Sequence, residues 1–486
     1  MLILLFILIP LVGGGITLLL PASKASYTAI GISLLQFVVS LLTYTVYVKQ
    51  LPGFDLHWNV NWIPSLGARF SLGLDNGDSL ALMMLMLNAL VFPIIFVSLL
   101  NKQPERKNVF YGLMLLAQAG LSGVFLAKDA LLFYVCWEAA LIPVYFLSSL
   151  YGGPRRIPVT FKFFVYTFAG SLLMLVAILL IYQQTPIHSF DWDSFVSVGR
   201  SMPASSQNWI FWLMFVAFAI KMPIFPFHTW QPDAYEESAT PVTIVLSAIM
   251  VKMGLFAVVR WLMPVLPLGC ERWMDWVTLL SVISIVYASC LALVQTNIKR
   301  IIAYSSIAHI GLMCAAIFSH QLIGMQGAAI QMFNHGIIIT GMWLLVAIVE
   351  NRLHTQDIRE MGGIAKLSPW FTISLVVASL ANIGFQMTNG FVGEFMMFNG
   401  LFKSTSPYHI VFTVFAGTGI IVGAAYTLNM IQKVAYGDVK ANTSSFTELS
   451  INEKIGMGII LLLIVVLGFY PKLLMDLIYV DQVFQP

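Results

Sequence analysis

The sequence predicts an all-α, polytopic membrane protein of about fourteen transmembrane helices, arranged as two inverted five-helix repeats with helices seven and twelve broken. Three observations carry that expectation. The chain is 59% hydrophobic and only 10% charged, with a mean hydropathy of +0.86, whereas a soluble domain carries roughly 25% charged residues. Apolar stretches long enough to cross a bilayer recur along the whole length. Two of them are interrupted, one by prolines and one by glycines, five spans apart.

Taken in order, the spans fall near residues 2–20, 27–48, 80–100, 109–127, 130–151, 159–182, 209–227, 241–260, 274–294, 301–318, 327–349, 370–402, 409–434 and 456–475. The first lacks a basic leader and a cleavage site, so it is expected to be a retained span and not a signal peptide. This divides the chain into three N-terminal helices (1–108), a first repeat of helices four to eight (109–260), a second of helices nine to thirteen (274–435) and a closing helix (456–475). The longer loops, 49–78, 183–208, 350–369 and 435–455, leave no room for a soluble domain.

Loop charge sets the expected orientation. Of the 25 Lys and Arg, about 15 follow odd-numbered spans and about 8, Lys128 and Arg260 among them, follow even-numbered ones. The positive-inside rule then puts loops 101–108, 152–158 and 350–369 in the cytoplasm and both termini on the opposite side. Loop 228–240 departs from the pattern, with no Lys or Arg but with Asp233, Glu236 and Glu237. It is either an acidic mouth that gathers protons or a turn with ordinary solvated charges.

Other chemistries are disfavoured. The net charge of +3 is too small to suggest nucleic acid. Cys136, Cys270, Cys290 and Cys314 lie far apart without ligand spacing, so no metal site is expected. No phosphate-binding glycine loop occurs.

The membrane segments instead carry ionisable groups. In FVAFAIKMPIFPFHTWQPDAYEESATP, from Phe215 to Pro241, Lys221 lies deep in a span and Pro223 and Pro226 follow it at once. Proline removes a backbone donor and clashes with the preceding turn, so the helix should break there. A broken helix survives in a bilayer only where protein or water satisfies the freed carbonyls. Lys221 is therefore a candidate for an ion pathway, with a lysine snorkelling to the headgroups as the alternative. The twelfth span breaks at Gly384 and again at Thr388-Asn389-Gly390, then resumes at FVGEFMMF with Glu394. Glu138 lies within the fifth span and Lys252 within the eighth, neither with a simple structural explanation. His309 on the tenth span and His335 on the eleventh are open to two readings. Ser305, Ser306 and Gln331 stand one turn away, so each imidazole is either a hydrogen-bonded core group or a proton carrier. Glu394 could cap the resumed half-helix, a role compatible with carrying a proton. Alternating acid, base and imidazole through successive helices is what a proton wire requires, since burial brings such groups toward physiological protonation. Phe and Met are read as packing and lipid-facing groups, and Lys162 as an interfacial anchor.

The segments KMPIFPFHTWQPDA, YVCWEAALIPVYF, QTNIKRIIAYSSIAHIG and NGFVGEF resemble the antiporter-like membrane subunits of respiratory complex I, a likeness that covers almost the whole chain. The resemblance implies that Glu138 and Lys221 form the pair of a first half-channel, Lys252 the central relay, His309 and His335 the bridge, and Glu394 the terminal group. Glu394 stands where several family members carry lysine. Gln386-Met387 replace the family's usual Pro-Gly, and Gln231 and Tyr235 its usual leucine and histidine, which puts local geometry in question. The implied function is proton translocation in the bacterial plasma membrane, coupled to distant quinone reduction. The implied partners are other membrane subunits of the complex, neighbouring antiporter-like ones included, within the lipid bilayer. NADH, flavin, iron–sulfur clusters and quinone are expected on other subunits and no cofactor on this chain. A subunit of a multisubunit sodium/proton antiporter, or a structural subunit that no longer pumps, are the alternatives.

Overall fold

A computed structural model describes residues 1–100 and 104–479. Lys102, in the loop 101–108 expected in the cytoplasm, lies outside the described residues. The helices are α1 (Leu2–Leu19), α2 (Ala22–Lys49), α3 (Ser79–Ser98), α4 (Lys107–Leu126), α5 (Ala130–Tyr151), α6 (Arg156–Tyr182), α7 (Trp192–Ser201), α8 (Ala204–Lys221), α9 (Trp230–Glu237), α10 (Thr240–Val265), α11 (Pro267–Val294) and α12 (Ile298–Ile317). They continue with α13 (Leu322–Leu353), α14 (Pro369–Asn382), α15 (Asn389–Phe402), α16 (His409–Ala435), α17 (Ile451–Phe469) and α18 (Lys472–Tyr479).

Twelve of the described helices are long and apolar enough to cross a membrane. The other two expected passes are the interrupted ones, α8 followed by α9 and α14 followed by α15. The polytopic helical fold stands. The loop 49–78, however, holds an antiparallel hairpin of β1 (His57–Ile63) and β2 (Ala68–Gly73), and 183–208 holds the short helix α7.

Local chemistry sets the helix ends. Asp129 accepts from the Leu131 and Leu132 amides at 3.0 and 2.9 Å and starts α5. Asn297 does the same for α12, and Ser450 with Glu453 forms a capping box on α17. Pro267 and Pro369 occupy first turns, where their missing amide is harmless.

Burial identifies the axis. The apolar window of α10 is 100% buried and that of α13 is 94% buried, against 33% for α1 and 28% for α17. The helices that carry Lys252 and His335 thus form the centre, and α1 and α17 the rim. The chain alternates between the two ends of the bundle. One end carries the hairpin, Lys128 and α7. The other carries Arg155, α9, the start of α12 and the end of α13. Arg260, assigned by sequence to a loop, lies inside α10 and is buried, because that helix continues to Val265.

Candidate functional site

The first break begins at the predicted residues. Lys221 is the last residue of α8, and Met222 to Thr229, with Pro223 and Pro226, form the interruption. The carbonyls freed by proline find partners. Trp230 Nε1 donates to Ile220 O at 2.9 Å, and the Ile224 amide donates to Ala219 O at 3.0 Å. The Phe225 amide donates to Ser284 Oγ of α11 at 2.6 Å, which ties the break to the second half of the chain.

Lys221 itself is buried, and its ammonium makes no hydrogen bond within the protein. It lies 5.5 Å from the centre of the Trp137 ring, a cation–π contact with the residue next to Glu138. Glu138 Oε1 is likewise without a partner, and the Ser171 hydroxyl lies beside its carboxyl group. The expected Glu138–Lys221 pair is therefore coupled through space and makes no direct hydrogen bond. The large indole beside the acid gives the lysine a π face to rest on.

The second break is set by backbone geometry. Gly384 has φ of +64°, and Met387 adopts φ of +68°, a left-handed value unusual for a side chain with a Cβ. Gln386-Met387 thus keep a left-handed turn that glycine would accept more readily. α15 resumes at Asn389, two residues ahead of the expected FVGEFMMF start, and Gly390 lies in its first turn. A Cβ on Gly390 would stand 2.2 Å from Ala381 O, so only glycine lets the two half-helices approach this closely. Asn334 Nδ2 donates to Asn389 O at 2.7 Å, and Asn382 Nδ2 donates to Ser305 Oγ of α12 at 2.9 Å.

Glu394 is buried and is not in the first turn of α15, so the capping role is not realised. Its carboxylate folds back onto Gly384, where a Cβ would meet Oε2 at 2.1 Å.

Between the breaks, four of the six ionisable candidates form one array. Lys252 follows a π turn (Leu246–Met250) in which the Val251 amide reaches back to Leu246 O at 3.2 Å. Within this widened turn, Lys252 Nζ donates to Ser247 O at 2.6 Å. The same nitrogen lies 2.9 Å from His335 Nδ1. His335 Nε2 has no hydrogen-bond partner, and the His335 and His309 rings lie 5.3 Å apart, centre to centre. His309 Nδ1 then lies 3.4 Å from Glu394 Oε1. The order is Lys252, His335, His309, Glu394. The hydrogen-bonded-core reading of the histidines is not realised, since Ser305 serves Asn382 and neither Ser306 Oγ nor Gln331 Oε1 has a partner. Glu394 and His309 line an open cleft with Ser289, Asn382 and Tyr426.

Sequence reasoning missed Trp137, Tyr426, the two asparagines and the π turn. Helical periodicity does not flag Ser247, because its relation to Lys252 exists only when the turn widens. It also misread loop 228–240. Asp233 pairs with Arg300 at 2.6 Å and Lys162 at 2.8 Å, Glu236 with Arg300 at 2.8 Å, and Glu237 with Arg155 at 2.9 Å. These acids are neutralised by cations from α6, α12 and the loop before α6, and form neither an open mouth nor free turn charges. Lys162 belongs to that network. Among the described residues, no group of three His, Cys, Asp or Glu is placed to hold a metal ion.

Two interrupted helices, the second linked to the central α10 by a buried array of lysine, imidazole and carboxylate, define an ion-translocating membrane protein of the antiporter type. Residues 127–420 match the family described as NADH:quinone oxidoreductase/Mrp antiporter, TM, and the chain belongs to that family. It is 34% identical to NADH-quinone oxidoreductase subunit M of Rickettsia prowazekii, over 94% of this chain and 92% of the relative. It is 32% identical to F(420)H(2) dehydrogenase subunit M of Methanosarcina mazei, over 97% of this chain and 95% of that one. Among solved structures, it superposes on a chain of respiratory complex I from Thermus thermophilus with a TM-score of 0.88 and 26% identity, covering 100% of both chains.

Proposed function

We propose that this chain is the M-type membrane subunit of an NADH:quinone oxidoreductase and moves protons through its buried array. The observation that carries the reading is the contiguous run from Lys252 Nζ through both imidazoles to Glu394. An imidazole accepts a proton at one ring nitrogen and releases one from the other. A proton passed by Lys252 to His335 Nδ1 leaves from Nε2, the free nitrogen, toward His309 and then Glu394. Glu138 and Lys221 act upstream as a through-space switch. The glutamate holds the lysine charged, and a field that weakens the pair sends the proton on toward Lys252. NADH, flavin, iron–sulfur clusters and quinone act on other subunits. The chain lies in the bacterial plasma membrane with both termini outside the cytoplasm, as two inverted repeats within fourteen passes. The family's description also names Mrp antiporters, which would make this chain an antiporter subunit instead. Full-length identity to oxidoreductase subunits favours the first reading.

Glu394→Gln tests it. The variant keeps size and some hydrogen bonding but cannot carry the charge. It should assemble and lose roughly tenfold or more of turnover-driven proton uptake in proteoliposomes, within the usual range for removing a proton-transfer group. Uptake at the normal rate would contradict the reading.

A further inference from the structure

A second group of buried charges is centred on Arg260 of α10, eight residues beyond Lys252, toward the hairpin end of the bundle. Arg260 Nη1 lies 2.6 Å from Asp78 Oδ1, and Lys128 Nζ lies 2.5 Å from Asp78 Oδ2. The Asp78 side chain is only 3% exposed and that of Arg260 only 7%. Lys128 also pairs with Asp75, which accepts from the His57 ring at 2.6 Å, so the group continues to the exposed hairpin. Trp192 of α7 covers it, with its ring centre 4.4 Å from the Arg260 guanidinium and its Nε1 donating to Arg260 O at 2.9 Å. The proton array does not use these residues.

Their placement distinguishes this group from a simple staple. Between Lys252 and Arg260, α10 carries only apolar residues, all buried. Phe256 stands midway and packs edge-on against Phe125 at 5.2 Å. A small cleft lined by Asp78, Phe256, Val259 and Arg260 ends there. Beyond this apolar plug, the buried part of the group, Arg260, Lys128 and Asp78, holds one more cation than carboxylate, and the balancing carboxylate, Asp75, sits half-exposed at the hairpin face.

We propose that Arg260, Lys128 and Asp78 form an electrostatic seal at this end of α10, which keeps protons from passing directly between Lys252 and the hairpin face. A proton on Lys252 then has one open route, sideways to His335. Burying two cations and an anion costs several kcal/mol per ion unless they are well paired. Asp78 supplies that pairing inside, and the remaining counter-charge, Asp75, stands in solvent at the hairpin, so the buried part still repels a proton. Eight residues of helix span ~12 Å. A unit charge at that distance, at an effective dielectric near 20, shifts the occupancy of a proton roughly tenfold. The seal rests on the proton-transport reading, but its test does not require turnover.

The whole complex is reconstituted in liposomes, turnover is inhibited, a potassium diffusion potential is imposed, and passive proton influx is followed with an internal pH dye. Arg260→Gln should raise the leak roughly tenfold, and Arg260→Lys, which restores the charge, should return it close to the wild-type value. Vesicles carrying Arg260→Gln that stay as tight as wild type, or a lysine variant as leaky as the glutamine one, would overturn the seal. Only complexes with normal subunit content are scored. If Arg260→Gln fails to assemble, Lys128→Gln removes the second cation, and a normal leak there is equally decisive. A wild-type complex that pumps while both variants stay tight removes the seal and leaves the transport reading intact.

Discussion

Residue identity matters most where backbone and chemistry are both constrained, and Met387 shows how. Its φ of +68° lies in the left-handed region, which costs a side-chain-bearing residue roughly 1–2 kcal/mol. Glycine would relieve most of that and give back part through greater unfolded-state entropy. Met387→Gly should therefore stabilise the chain by about 0.5–1 kcal/mol without loss of proton uptake, whereas the β-branched Met387→Val should destabilise it. Thermal release of the subunit from the purified complex measures both, and a glycine variant less stable than the parent would refute the strain. The sequence already showed this position as a departure from Pro-Gly, and the structure supplies the consequence. All six ionisable candidates were legible because charge within an apolar run is conspicuous. Their grouping was not. Distance between Lys252 and His335 depends on the π turn and on how α10 meets α13, and a linear pattern contains neither.

At the scale of elements, helix existence was plain from apolar length, and α5 spans Ala130–Tyr151 as expected. The hairpin was missed although Trp58, Val60 and Trp62 alternate with polar residues along β1, because the segment is short and, in the structure, that apolar face is largely exposed instead of packed on a core. Its anchoring is electrostatic. Burial opposes ionisation of Asp75, yet the Lys128 ammonium and the His57 ring outweigh it and hold the carboxyl group down at about 2, from an ordinary 3.8. An acid whose folded value is depressed stabilises the fold above its unfolded value and loses that contribution as pH falls through the folded one. Amide exchange in residues 57–73, corrected for intrinsic rates, should show steady protection above about pH 4 and loss of protection toward about pH 2. Protection unchanged across that window would show that Asp75 does not hold the hairpin.

For the whole molecule, alternating helices put the basic loops at one end of the bundle, and the ion pairs among Arg155, Asp233, Glu236, Glu237 and Arg300 knit that end together. Single cysteines at Arg155 and Lys366 should react with an impermeant thiol reagent only when the cytoplasmic face is exposed, as in inverted vesicles. Labelling from the outside would reverse the orientation. Composition and the broken helices revealed the polytopic helical architecture, while the network at α9 escaped because its cations come from α6, α12 and the loop before α6, distant in sequence. The central claim is that the array of Lys252, His335, His309 and Glu394 carries the protons. The most direct measurement is proton uptake per electron by proteoliposomes of the complete complex carrying Lys252→Met, which keeps length and removes the titrating nitrogen. The account predicts an assembled complex whose uptake falls roughly tenfold or more; uptake per electron equal to wild type, at an undiminished electron-transfer rate, would contradict it.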